Sequence, residues 1–327
     1  MARNGFMGVI SFLRNNVSYE DVIKIMQNLM VFKPTSFRSN LKNFKRLGKS
    51  NFWEQVRLNL EQRDYFRCYA KDFNQNPIRL DEVSLSFFPT TDIVQVRFVI
   101  NTEDDNILIE LERSIADFAK NHTILSAALR AIGEYDWNDN NNLELQKQNH
   151  KEMDAVQTVQ IAYVDVADVT QFSGHTHDYE GLWFGCSYEM WFGNDYDKYI
   201  SLNTIKQFKD CEQNVTYENG TVFIKMFASY CDYDKSHSMD RAFSFRKTTK
   251  CDEAFEYWQN LINEQSFIQA QHSMEIEKGS FPHGGIRLVK TYLDQNDQPT
   301  IKAKAVKVHI SELGCDGKSI FEETINL

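Results

Sequence analysis

The chain predicts an α+β fold in two parts, with mainly antiparallel sheets and a more β-rich C-terminal part. Three observations carry that expectation. Short runs such as Val83–Phe88 and Ile93–Ile100 are bounded by turn residues and read as strands. A long stretch from Leu108 to Ile132 repeats apolar residues every three or four positions, as one face of a helix does. Strand-like patterns then dominate the second half and end in a meander. The 327 residues, 42% apolar and 25% charged, have the composition of a folded domain or two rather than a disordered chain.

Taken in order, Gly5–Leu13 reads as a first strand. Ser18 followed by Asp21 has the spacing of a capping box, and Val22, Ile25, Met26 and Leu29 continue as a helical stripe that Pro34 stops. Two further helices are expected over 36–47 and 51–60. Pro89-Thr90-Thr91-Asp92 then turns between two strands. In the stripe Leu108, Leu111, Ile115, Phe118, His122, Leu125, Leu129 and Ile132, the spacing predicts one helix, or two if Asn121-His122-Thr123 breaks it, and a single helix would bury a neutral His122 beside Phe118 and Leu125. The polar segment 138–154, with Asn138, Asn140, Asn141 and Asn142, is the expected linker between an N-terminal α+β domain (1–137) and a β-rich α+β domain (155–327). Within the latter, Val159–Val164, Trp183–Trp191, Thr221–Ala228 and Arg241–Phe245 read as strands and Ala254–Asn263 as a helix. Ile286–Leu293, Thr300–Ile310 and Ile320–Leu327 read as a closing three-strand meander.

Scattered cysteines without a C-x-x-C pair fit free thiols in a reducing compartment. Arg3 and the short apolar stretch after it lack a small-residue cleavage site, and no run approaches the roughly 18 apolar residues that span a bilayer. A soluble cytoplasmic protein, with no membrane partner, is expected.

Charge is unevenly distributed. The net charge is −10, yet residues 1–80 hold 14 Lys+Arg against 6 Asp+Glu, and residues 81–327 hold 22 against 40. In the basic segment 36–71, Lys42, Lys45, Arg46, Lys49 and Arg57 are interleaved with Phe44, Phe52, Trp53 and Tyr65. Basic groups that neutralise phosphates beside aromatics that stack on bases would make a nucleic-acid face, as in phage defence. The same interleaving suits amphipathic helices that pack on an acidic body.

Candidate chemistry is sparse. His175, His177 and Asp178 form the one dense cluster of ligand-type residues, which would serve a metal-dependent hydrolase. A tetrahedral metal site needs about four ligands, however, and only two stand at secure spacing, so neither metal nor cofactor is expected. The chain has no Gly-rich phosphate loop, no G-x-S-x-G elbow and no H-E-x-x-H helix. The repeated Trp-Phe-Gly at Trp183 and Trp191 would point both indoles to one face of a single strand, as packed core or as binding anchors beside Tyr196, with Asp195 and Asp197 as an acidic rim.

The segment Trp191-Phe192-Gly193-Asn194-Asp195-Tyr196, followed by Gly220-Thr221-Val222-Phe223-Ile224-Lys225 and Asp232-Tyr233-Asp234, resembles bacterial immunity proteins, which neutralise toxins delivered between competing bacteria. The resemblance implies a cytosolic, non-enzymatic α+β protein that binds one partner tightly. The acidic balance of residues 81–327 would draw it to a protein with a basic surface.

Overall fold

The structure is a computed structural model that describes residues 5–33, 36–39, 42–46, 53, 57, 66–70, 81–151, 156–315 and 317–327. It has two compact units, Met1–Glu256 and Tyr257–Leu327. The α+β class is as expected, and all the sheet pairings described are antiparallel.

The first unit is organised on a ten-stranded sheet. Its strands are β1 (Phe6–Leu13), β2 (Ser36–Ser39), β3 (Lys42–Arg46), β4 (Phe66–Ala70), β5 (Asp81–Phe88), β6 (Ile93–Ile100) and β7 (Ser126–Ala131). Two small hairpins follow, β8 (Thr158–Ile161) with β9 (Val164–Ala167), and β10 (His177–Tyr179) with β11 (Leu182–Phe184). The sheet is completed by β12 (Glu189–Phe192), β13 (Gln213–Thr216) and β14 (Val222–Lys225), in the order β13-β14-β12-β7-β1-β6-β5-β4-β2-β3. Register sorts its residues into two faces. Ile10 lies opposite Val96, Phe12 opposite Val94, and Leu85 opposite Val96 on the other side, and all of these are buried. That face is covered by α1 (Tyr19–Leu29) and α2 (Asp105–Asn121), which turn Val22, Ile25, Met26 and Leu29, and Leu108, Leu111, Ile115 and Phe118, inward. The capping box at Ser18 and Asp21 starts α1, with Ser18 Oγ accepting from the Asp21 N–H at 3.1 Å. The other face carries Met7, Val9, Gln95, Arg97, Val99, Glu82, Ser84 and Arg130.

Several expectations are corrected. Residues 36–39 and 42–46 are strands, not a helix, and β3 is the outermost strand described on that side. Lys42, Lys45 and Arg46 therefore stand on a sheet edge, where charged residues discourage pairing with another chain. Trp53 and Arg57 are helical, whereas Lys49 and the rest of 51–60 lie outside the described residues. Helix α2 ends at Asn121 with His122 extended, and Ser126–Ala131 is a strand buried at every position, so its apolar spacing fits a helical period without being a helix. His122 is half-buried, stacked on Phe118 at 4.2 Å between centroids and 3.6 Å from Asp21 Oδ1. The polar segment lies inside the first unit, running from Asn138, the last residue of α3 (Ile132–Asn138), through α4 (Leu143–Asn149). Asn138 and Gln146 are buried there as hydrogen-bonding partners of the backbone, with Asn138 Oδ1 accepting from the Gly174 N–H and Gln146 Nε2 donating to the Asp136 carbonyl.

Further along, α5 (Leu202–Gln207) precedes β13, and α6 (Ser236–Thr249) replaces the strand expected over 241–245. Its buried residues Ser238, Ala242, Phe245 and Thr249 recur at helical spacing, although Arg241–Phe245 alone alternates like a strand. Helix α7 (Cys251–Ser273) follows, longer than expected. The second unit holds an antiparallel meander of four strands, not three: β15 (Met274–Lys278), β16 (Arg287–Leu293), β17 (Lys307–Leu313) and β18 (Ser319–Asn326). No described helix is long and apolar enough to cross a membrane.

Trp183 and Trp191 occupy separate strands, broken by Gly185 at φ +144°. They are 3% and 1% exposed, and Tyr196 is 1% exposed, its hydroxyl donating to the Trp183 carbonyl at 2.8 Å. These three aromatics are core, and as buried side chains they offer a partner no anchoring surface. Trp191→Ala should therefore lower unfolding stability by about 3–5 kcal/mol in a denaturant titration. Unchanged stability would place the indole outside the core.

Candidate functional site

The second face of the sheet forms a cleft of about 420 Å³. Strands supply its floor: Met7 and Val9 from β1, Arg97 and Val99 from β6, Glu82 and Ser84 from β5, Arg67 from β4, and Ala128 and Arg130 from β7. Tyr135 and Asp139, in and just after α3, make one wall. His175, Thr176, Asp178 and Trp183 make another.

That second wall is the β10–β11 hairpin and the loop leading into it. Its two-residue turn, Glu180 at φ +50° and Gly181 at φ +79°, is clamped to the sheet. The Gly181 carbonyl accepts from Ser11 Oγ at 2.9 Å and Gln95 Nε2 at 3.2 Å, while the Glu180 carbonyl accepts from Thr91 Oγ1 at 2.6 Å. A Cβ on Gly181 would lie 2.6 Å from both Ile93 and Phe88, so this turn needs glycine for space as well as conformation.

The charges in the cleft are paired. Arg67 pairs with Glu82, Arg97 with Asp178 and Arg130 with Asp139. Asp139 is the hub. It accepts from His175 Nδ1 at 2.6 Å, from the Thr176 N–H at 2.8 Å and from Thr176 Oγ1 at 2.9 Å, in addition to Arg130. Burial pushes its carboxyl up, but Arg130, His175 and Thr176 outweigh burial and hold it at about 2. Glu134, one turn earlier in α3, lacks such donors in number. Burial dominates there, with Asp139 adding to it and Arg130 opposing, and the carboxyl is raised to about 8.

His175 and His177 are thus brought together, their rings meeting edge to face at 4.5 Å between centroids. Each is committed to a different carboxylate. His177 Nε2 lies 2.8 Å from Asp252 Oδ1 and its ring stacks on Phe255 at 4.0 Å. Arg246 holds Asp252 through two bonds of 2.8 and 2.9 Å. Asp178 turns away to Arg97. Among the described residues, no three His, Cys, Asp or Glu are grouped to hold a metal ion.

Asp195 and Asp197 remain at the surface with local roles. Asp195 Oδ2 accepts from Asn16 Nδ2 at 2.6 Å, and Asp197 Oδ1 accepts from the Leu202 N–H at 2.7 Å, at the start of α5. Of the residues singled out in the sequence, His175, Asp178 and Trp183 line the cleft. Arg67 also lines it and belongs to the basic segment 36–71, while Arg97, Arg130, Tyr135 and Asp139 were missed. Arg97 and Arg130 had a signal: each is a lone charge within an apolar strand, Ile93–Ile100 and Ser126–Ala131.

A second electrostatic feature surrounds this wall. Residues 152–197 contain no Lys or Arg in 46 positions, and nine Asp+Glu. Asp165 and Asp197 are exposed, and Asp168, Glu180 and Asp195 are half-buried.

No family model matches the chain. No curated protein matches it. Among solved structures it is similar to the Pseudomonas aeruginosa T6SS protein PA0821, with a TM-score of 0.44 and 8% identity, over 76% of this chain and 82% of that one.

The state of Glu134 gives the fold a pH dependence. With its carboxyl raised from 4.5 to about 8, the folded chain keeps a proton that the unfolded chain releases, so stability falls as pH rises through that window. Glu189, raised to about 7 by burial and by Glu112, adds the same sign. Glu134→Gln should flatten the decline in melting temperature between weakly acidic and weakly alkaline buffer. An unchanged slope would contradict the assignment.

Proposed function

We propose that this chain is a non-catalytic binding protein that captures one partner protein bearing a basic surface and blocks it by covering that surface, as an immunity protein does a toxin in the bacterial cytoplasm. The observation that carries this reading is the 46-residue stretch 152–197, with nine acidic and no basic residues, which includes the loop and hairpin beside the cleft. Asp178 is paired with Arg97 and Glu189 with Lys225, so among the described residues the outward charge comes from Asp165, Asp168, Glu180, Asp195 and Asp197. A field of one sign steers an oppositely charged protein and raises its association rate.

The cleft supports the same reading. Its arginines and carboxylates are fixed to one another and to the backbone, so little side-chain freedom is lost when a partner docks. His175 and His177 contribute to that rigidity through Asp139 and Asp252.

The test is made with the protein encoded by the neighbouring reading frame, purified and mixed with this chain. A one-to-one complex should form, co-production should relieve that protein's toxicity, and the association rate should fall steeply with added salt while dissociation changes little. Absence of a complex, or an association rate indifferent to salt, would contradict the proposal.

A further inference from the structure

The β8–β9 hairpin exposes several apolar residues together, whereas Ile109 and Phe243 elsewhere in the first unit are exposed singly. Register sets Val159 opposite Val166 and Ile161 opposite Val164, and directly opposed residues share one face of an antiparallel ribbon. Gln160 and Asp165 are opposed on the other face. The apolar face is open: Val159 is 39% exposed, Ile161 53% and Val164 61%. Tyr163, at the tip, is 95% exposed. Its turn places Ala162 at φ +48° and Tyr163 at φ +67°, the left-handed pair of a two-residue hairpin turn that Asn-Gly fits best. Backbone geometry therefore gives no reason for a tyrosine there.

We propose that this hairpin is the anchor of the interface: its apolar face and the Tyr163 ring enter an apolar groove on a partner protein whose rim is basic. The inference rests on the binding function proposed above. Charge complementarity identifies the occupant. Asp165 on the hairpin is exposed and Asp168 just beyond it is half-buried, with no Lys or Arg in the sequence between Lys151 and Lys198, so a groove with a basic rim gains attraction around an apolar centre. Apolar centre and charged rim are the usual anatomy of a specific interface. Lys147 and Lys151 are the nearest basic residues in the chain before the hairpin, and Lys147 is already paired with Glu144 at 3.0 Å. A second copy of this chain would bring two acidic stretches together, which repulsion opposes.

The test places a photoreactive phenylalanine at Ile161 in one variant and at Ile109, 51% exposed on α2, in another. Each is irradiated with the product of the neighbouring reading frame present, and the adducts are identified by mass spectrometry. A third variant, Tyr163→Gly, removes the ring at a position glycine suits, so the melting temperature should hold or rise. The expected result is an adduct with one basic protein at Ile161 and none at Ile109, with Tyr163→Gly weakening binding about 30-fold through faster dissociation, the scale of a hot spot. A complex that forms without an adduct at Ile161, or that binds Tyr163→Gly as tightly as the unmodified chain, overturns the anchor and leaves the binding function standing. An adduct between two copies of this chain, or with an acidic protein, overturns the proposed occupant. Failure of every variant and of the unmodified chain to form a complex overturns both the anchor and the function beneath it.

Discussion

A sheet has two faces, and the two helices α1 and α2 cover only one of them. The other face carries arginines in the middle of strands, and a guanidinium beside a protein core is costly unless a carboxylate meets it. Arg130 is the most enclosed, with its side chain 11% exposed, and Asp139 is its answer. Because Asp139 also receives His175 and both donors of Thr176, the residue that neutralises Arg130 ties β7, the end of α3 and the loop before β10 into one network. The hairpin clamp through Ser11, Gln95 and Thr91 then fixes the far end of that loop. The cleft exists because these contacts hold a wall above the polar face instead of letting it collapse onto the sheet.

Rigidity in the cleft contrasts with exposure around it. The aromatics Trp183, Trp191 and Tyr196 are consumed by the core, whereas Val159, Ile161, Tyr163 and Val164 of the β8–β9 hairpin are exposed. Charge and apolar surface do different jobs in association. Acidic residues act at a distance and set how fast a basic protein arrives, whereas a few desolvated apolar groups set how long it stays.

Legibility in the sequence followed the range of the interaction. Local signals read well: Ser18 and Asp21 capped α1, Pro89–Asp92 turned β5 into β6, and Gly5–Leu13 formed a strand. Segments settled by tertiary burial did not. Ser126–Ala131 is buried on both faces, so its spacing fits a helix and a strand equally. Arg241–Phe245 alternates locally, but helical packing of Ala242, Phe245 and Thr249 prevails. Asn138 and Gln146 are polar, as linker residues are, and are buried because the backbone around them needs donors and acceptors. At the site, His175 and Asp178 were visible as residue types that bind things, while Asp139 gave no sign in one dimension that it would hold Arg130 and His175 together. The acidic balance of residues 81–327 was visible in composition, but the stretch 152–197 within it was not singled out, and only the structure places an exposed apolar hairpin there.

The central claim is that a basic partner protein is held on the surface formed by the acidic stretch and its hairpin. Hydrogen exchange of the backbone, compared between the free chain and its complex with the neighbouring gene product, reads that surface directly. Protection should appear over 157–168 and over 175–182, with α1 and α2 unchanged. Protection confined to α1, α2 or the second unit, with the hairpin exchanging as in the free chain, would contradict the account.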